Sequence, residues 1–126
     1  MKLTLSLLIA AILILLLCQP CNGFVDKSGW FEARISHYSC SEEQGTADGI
    51  TASGCRVFEG CAASYPGEFE FGTKLFIAGI GIVEVWDTGT GPPSKEMWLD
   101  VYLESTEECF ERGVVRRDVF VIEEGE

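Results

Sequence analysis

Apolar residues recur at every second position in several short runs of this chain, and that period admits few folds. Trp30 to Tyr38 sets Phe31, Ala33 and Ile35 on one face, and Trp98 to Leu103 sets Leu99, Val101 and Leu103 on one face. Lys74 to Ala78, Ile82 to Trp86 and Asp118 to Ile122 read as further strands, with Gly79-Ile80-Gly81 turning the first of these into the second. One segment breaks the period. Ser105-Thr106-Glu107-Glu108 is a capping box, its glutamates suit the positive end of a helix dipole, and Gly113 is a natural stop after Arg112. The spacing predicts a helix over Ser105 to Arg112. Many short strands, glycine-rich turns and one small helix predict a mainly β fold, closed or nearly closed into a barrel.

How much chain is free to fold depends on its start. Lys2 is followed by a nearly unbroken apolar run from Leu3 to Leu17, a polar break at Gln19-Pro20, and small residues before Phe24. That pattern predicts a secretory signal peptide over residues 1–23. The run is short for a membrane span, which takes about 20 apolar residues. Residual anchoring is the alternative. Residues 24–126 then form one domain. Cleavage removes one of nine basic residues and none of twenty acidic ones, so the net charge moves from −11 to −12. Nucleic acid is an unsuitable partner for such a chain, because its binding rests on phosphate neutralisation. An anionic membrane surface is disfavoured for the same reason. The chain is expected to act as a monomer outside the cytoplasm, extracellular or periplasmic.

Cys18 and Cys21 fall in the leader, which leaves Cys40, Cys55, Cys61 and Cys109. An even number in an exported small domain predicts two disulfides. Cys55 with Cys61 is the favoured pair, since they flank a short turn-like stretch, and Cys40 would then pair with Cys109. Zinc is the rival reading, but paired C-x-x-C knuckles are missing and His37 stands apart.

Two aspartates interrupt the strand pattern, although Asp is a poor strand residue. Asp100 lies inside an apolar run and shares a face with Trp98 and Tyr102. A carboxylate between two aromatics is partly desolvated, which raises its pKa and suits a general acid. Exposed aromatics beside it could stack on sugar faces. Asp87 ends its run in Thr88-Gly89, where Asp often caps a turn. His37 lies on the side of Phe31 and Ile35, with no placed nucleophile. Gly45 to Gly49 supplies too few ligands for a calcium loop. Glu42-Glu43 and Glu123-Glu124 read as solvated charge. No metal or organic cofactor is implied.

Three stretches together resemble a known family: GITASGCRVFEGCAASYP, FGTKLFIAGIGIVEVWDTG and WLDVYLESTEECFERGVVRRDVFVI. They look like the 3D domain, named for three aspartates, of membrane-bound lytic transglycosylase A and of secreted bacterial wall proteins. The resemblance runs from about Ile35 to Ile122. Rare lipoprotein A, expansins, barwin and family-45 glycoside hydrolases look related in fold, a six-stranded double-psi β-barrel. The resemblance implies a cell-wall glycan, peptidoglycan or another polysaccharide, as partner. Asp87 matches the D-T-G aspartate, and Asp100 matches that of the next strand. Tyr65 stands before Pro66 where the family has its first aspartate. The segment between Asp87 and Asp100 is about two residues longer than usual and carries Gly-Pro-Pro-Ser.

Asp100, with Asp87, is therefore the expected catalytic pair, and Trp98, Tyr102, Tyr65, Thr51 and Trp86 are the expected substrate-binding residues. A lytic transglycosylase needs one acid, because the sugar's own hydroxyl attacks. A hydrolase needs a second carboxylate to activate water. A polysaccharide-binding module of expansin or barwin type is the alternative, and a disulfide-stapled interaction protein is a third reading.

Overall fold

The computed structural model describes residues 29–40 and 48–126. The leader expected over residues 1–23 lies outside these, as do Glu42-Glu43 and most of the Gly45 to Gly49 turn. Six strands form a closed barrel: β1 (Trp30–Tyr38), β2 (Cys61–Ser64), β3 (Lys74–Ile77), β4 (Gly81–Thr88), β5 (Trp98–Tyr102) and β6 (Val115–Glu123). Around the barrel the order is β1-β5-β2-β4-β3-β6. The pairs β1/β5 and β2/β4 are parallel and the others antiparallel. Closure leaves no free sheet edge, the hazard of an open antiparallel sheet. Among the described residues no helix is long and apolar enough to cross a membrane.

The alternation read from sequence does the packing. Phe31, Ala33 and Ile35 point inward with Leu75, Ile77, Val83, Val85, Leu99, Val101 and Val119. Each of these side chains other than Ala33 contributes about 1.5–3 kcal/mol by leaving water. β2 has no alternation to betray it. Its four residues are all buried, because Ala62 joins the inner core while Cys61 and Ala63 join an outer cluster with Tyr38 and Tyr102. β6 begins three residues before the expected Asp118.

The helix α1 (Thr106–Arg112) forms where the capping box places it. The Ser105 side chain accepts from the Glu108 amide at 3.2 Å, and Gly113 ends the helix at φ 59°. Glu108 turns to Arg112 one turn on, at 2.6 Å. Cys109 is the buried residue of α1, which packs against β1. At the helix end His37 Nδ1 lies 3.1 Å from the Gly113 carbonyl, so this histidine ties β1 to the turn after α1.

Neither expected disulfide is formed: Cys40, Cys55, Cys61 and Cys109 are free thiols. Each sulfur faces a hydroxyl. Cys61 Sγ lies 3.8 Å from the Tyr38 hydroxyl and Cys55 Sγ lies 3.2 Å from Thr51 Oγ1, while Cys40 donates toward the Tyr102 hydroxyl at 3.6 Å. Burial pushes the Cys61 thiol up to about 11, which keeps it protonated.

Candidate functional site

One row of paired residues crosses four neighbouring strands. Ser36 on β1 pairs with Asp100 on β5, Asp100 with Ala63 on β2, and Ala63 with Asp87 on β4. Strands lie about 4.8 Å apart, so the two aspartates stand two spacings, roughly 9–10 Å, from each other at the backbone. The residue between them is an alanine, which leaves the space over β2 open.

Strict alternation would turn Asp87 inward beside Val83 and Val85. A bulge prevents this. Ala62 pairs with Val85 but Ala63 pairs with Asp87, so Trp86 is an extra residue on β4. A bulge re-aims the side chains that follow it, and Asp87 emerges on the face of Ala63 and Asp100. A cleft of about 420 Å³ forms there, bounded by Tyr38, Thr51, Ala52, Asp87, Trp98 and Asp100. An adjoining hollow of about 360 Å³ shares Trp98 and Asp100 and is closed by Arg34 and Ser36.

The loop between β4 and β5 roofs this region, and glycines let it lie flat on aromatic rings. A Cβ at Gly89 would come within 2.8 Å of the Trp98 ring. One at Gly91, where φ is +61°, would meet the Tyr65 ring at 2.5 Å. The Tyr65 hydroxyl donates to the Pro92 carbonyl at 3.3 Å, and its ring centroid lies 5.4 Å from that of Trp98. Across the loop, Tyr65 with Glu68 and Lys95 borders a further hollow of about 460 Å³.

The two carboxylates have different surroundings. Asp87 is 7% exposed. Its Oδ1 accepts from the amides of Ala52 at 2.8 Å and Thr88 at 2.9 Å, and its Oδ2 accepts from the Tyr38 hydroxyl at 3.0 Å. Burial, reinforced by Cys61 and Asp87, pushes the Tyr38 phenol far up, so it remains a donor. Asp87 thereby clips the Thr51-Ala52-Ser53-Gly54 turn to the end of β4, helped by the Ser53 amide on the Trp86 carbonyl at 3.2 Å. Asp100 has one protein donor described, the Ser36 hydroxyl at 2.9 Å. Desolvation raises its carboxyl to about 6, the Ser36 hydrogen bond lowers it, and the charge of Asp87 raises it.

Of the expected substrate-binding residues, Thr51 and Trp98 line the cleft and Tyr65 borders the hollow across the loop. Trp98 and Tyr102 are not the exposed platforms expected, at 6% and 7% exposure. The loop covers Trp98, and Tyr102 packs edge-on against Tyr38 at 5.6 Å. Trp86 lies elsewhere, because the bulge turns it toward Gly72 and Glu84 in a separate groove, where its indole donates to Glu84 at 2.8 Å. Sequence reasoning missed Ser36, Tyr38 and the Ala52 amide. A signal existed for two of them. Ser36 and Tyr38 occupy the polar positions of β1, the face that parallel pairing sets beside Asp100 and Tyr102.

No protein-family model matches this chain, and no curated protein matches it. Among solved structures, the crystal structure of an apo expansin from Clavibacter michiganensis is similar, with a TM-score of 0.54 and 20% identity. The match covers 77% of this chain and 52% of that one, so this chain spans about half the expansin's length. The likeness is one of fold, and with the closed six-stranded topology it identifies the chain as a double-psi β-barrel.

Proposed function

We propose that this chain is a cell-wall glycan-active domain, exported by its leader, in which Asp100 is the general acid of a peptidoglycan lytic transglycosylase. The observation that carries this reading is a half-buried aspartic acid, raised to about 6, in the wall of an open cleft. A group with that pKa is protonated in mildly acidic solution and still able to release its proton. In the reaction, Asp100 protonates the glycosidic oxygen as the bond to the anomeric carbon breaks. A hydroxyl of the same sugar attacks that carbon, forming an anhydro ring, and its proton returns to the Asp100 carboxylate. No water is consumed, so no second carboxylate is required. The environment of Asp87 supports this choice over hydrolysis, since hydrogen bonds occupy both its oxygens.

A non-catalytic polysaccharide-binding module is the second reading. It is favoured by Tyr65 at the position of the family's first aspartate and by the expansin fold. Incubation of the protein with peptidoglycan and with β-glucans, followed by mass spectrometry of soluble products, separates the two. Anhydro-muropeptides are expected. Co-sedimentation with the polymer and no product supports the binding module, and neither result removes both readings.

A further inference from the structure

Trp98, Ser36 and Asp100 form a chain of hydrogen bonds that runs in one direction, from the indole to the carboxyl. The indole N–H of Trp98 can only donate, and it lies 2.8 Å from Ser36 Oγ. The Ser36 hydroxyl therefore accepts there, and the acceptor described for its single hydrogen is Asp100 Oδ1 at 2.9 Å. The strand ladder holds all three in place, since Arg34 pairs with Trp98 and Ser36 with Asp100 across β1 and β5. We propose that this relay assigns the transferable proton of Asp100 to Oδ2 and makes Ser36 and Trp98 positioning residues for the acid.

An oxygen that accepts from Ser36 serves as the carbonyl oxygen of the neutral acid, so the carboxyl hydrogen sits on the other oxygen. When Oδ2 gives up its proton, negative charge spreads to Oδ1, where the serine hydrogen already points. That bond strengthens on ionisation, because a carboxylate is the better acceptor. Ser36 thus offsets part of the burial and keeps the acid able to let go. Among the described residues, the charged or titratable groups around Asp100 are Asp87 from β4, Arg34 and Tyr38 from β1 and Cys109 from α1. None of these lies between Ser36 and Oδ1.

The catalytic consequence rests on the glycan-cleaving reading above, whereas the proton assignment does not. The test is a carboxyl ¹³C NMR titration of Asp100 in the purified protein and its Ser36→Ala, Ser36→Thr and Trp98→Phe variants. Ser36→Ala is expected to move the Asp100 midpoint upward and Ser36→Thr to restore it. Trp98→Phe keeps a ring beneath Gly89 but frees the serine to rotate, and is expected to give a smaller upward shift. On peptidoglycan, Ser36→Ala should lower kcat about tenfold with KM within twofold, the scale of one hydrogen bond. An Asp100 midpoint unmoved in Ser36→Ala overturns the relay, whatever the activity. A moved midpoint in a protein that cuts no glycan leaves the relay standing and removes the glycan-cleaving reading.

Discussion

Asp87 and Asp100 belong to one row of the barrel wall, separated by Ala63, yet the fold treats them oppositely. Asp87 sits at the end of a bulged strand, beside a turn whose Ala52 amide points at it. Three donors reach it. Asp100 sits within a strand whose own amides are engaged with its neighbours on both sides, so among the described residues the Ser36 side chain is the donor that reaches its carboxyl. The same residue type becomes a clamp where a strand ends and a raised carboxyl where a strand continues. The lesson is that chemistry here follows from which donors the main chain can spare.

The largest effect that sharpens this contrast is on stability. Asp87→Ala strips acceptors from two amides and a buried phenol, and is expected to cost about 3–5 kcal/mol, the scale of breaking a buried charged network. Chemical denaturation checks this. A loss below about 1 kcal/mol would return Asp87 to the free, catalytic class.

Asp100 is expected to behave in the reverse way. Its folded value of about 6 lies above the 3.8 of an unperturbed Asp, so between roughly pH 4 and 6 the native state holds a proton that the unfolded chain has released. Its contribution is fully present below pH 4 and is lost as pH rises through about 6, a change of about 3 kcal/mol. Asp100→Asn never ionises. It is expected to match wild type near pH 4 and to exceed it by up to about 3 kcal/mol at pH 8. Denaturation curves at the two pH values measure this, and a variant less stable than wild type at pH 8 would make Asp100 a structural anchor.

The smallest effect concerns the clamp alone. Tyr38→Phe removes one of the three donors to Asp87 and is expected to cost about 1–2 kcal/mol without moving the Asp100 midpoint. A shifted midpoint would mean that the Tyr38 hydroxyl acts on Asp100 as well as on Asp87.

Much of this fold is written in local pattern. Period-two alternation placed five of the strands, and the Ser105 to Glu108 box placed the helix to within a residue. The short, evenly apolar β2 gave no period to read. Asp100 was legible because an acid in an apolar strand contradicts its surroundings. The position of Asp87 was not, because alternation alone turns it inward, and the bulge at Trp86 is set by pairing with a distant strand, Ala62 with Val85 and Ala63 with Asp87. Ser36 was hidden for a similar reason. Its partner lies across a parallel pairing of the first and fifth strands, and such non-local contacts leave no local mark. The cysteine count suggested staples, but the fold gives each thiol a different neighbourhood.

The central claim is that Asp100 delivers a proton to a glycosidic oxygen. It is tested most directly by the pH dependence of peptidoglycan cleavage in wild type and in Asp100→Asn, with folding checked in the same samples. Wild type is predicted to release anhydro-muropeptides at a rate that falls as pH rises through about 6, where the acid ionises. The folded Asn variant is predicted to bind the polymer and release about 10²–10⁴-fold less product, the usual worth of a general acid. A folded Asp100→Asn protein that cuts peptidoglycan at the wild-type rate would contradict the account.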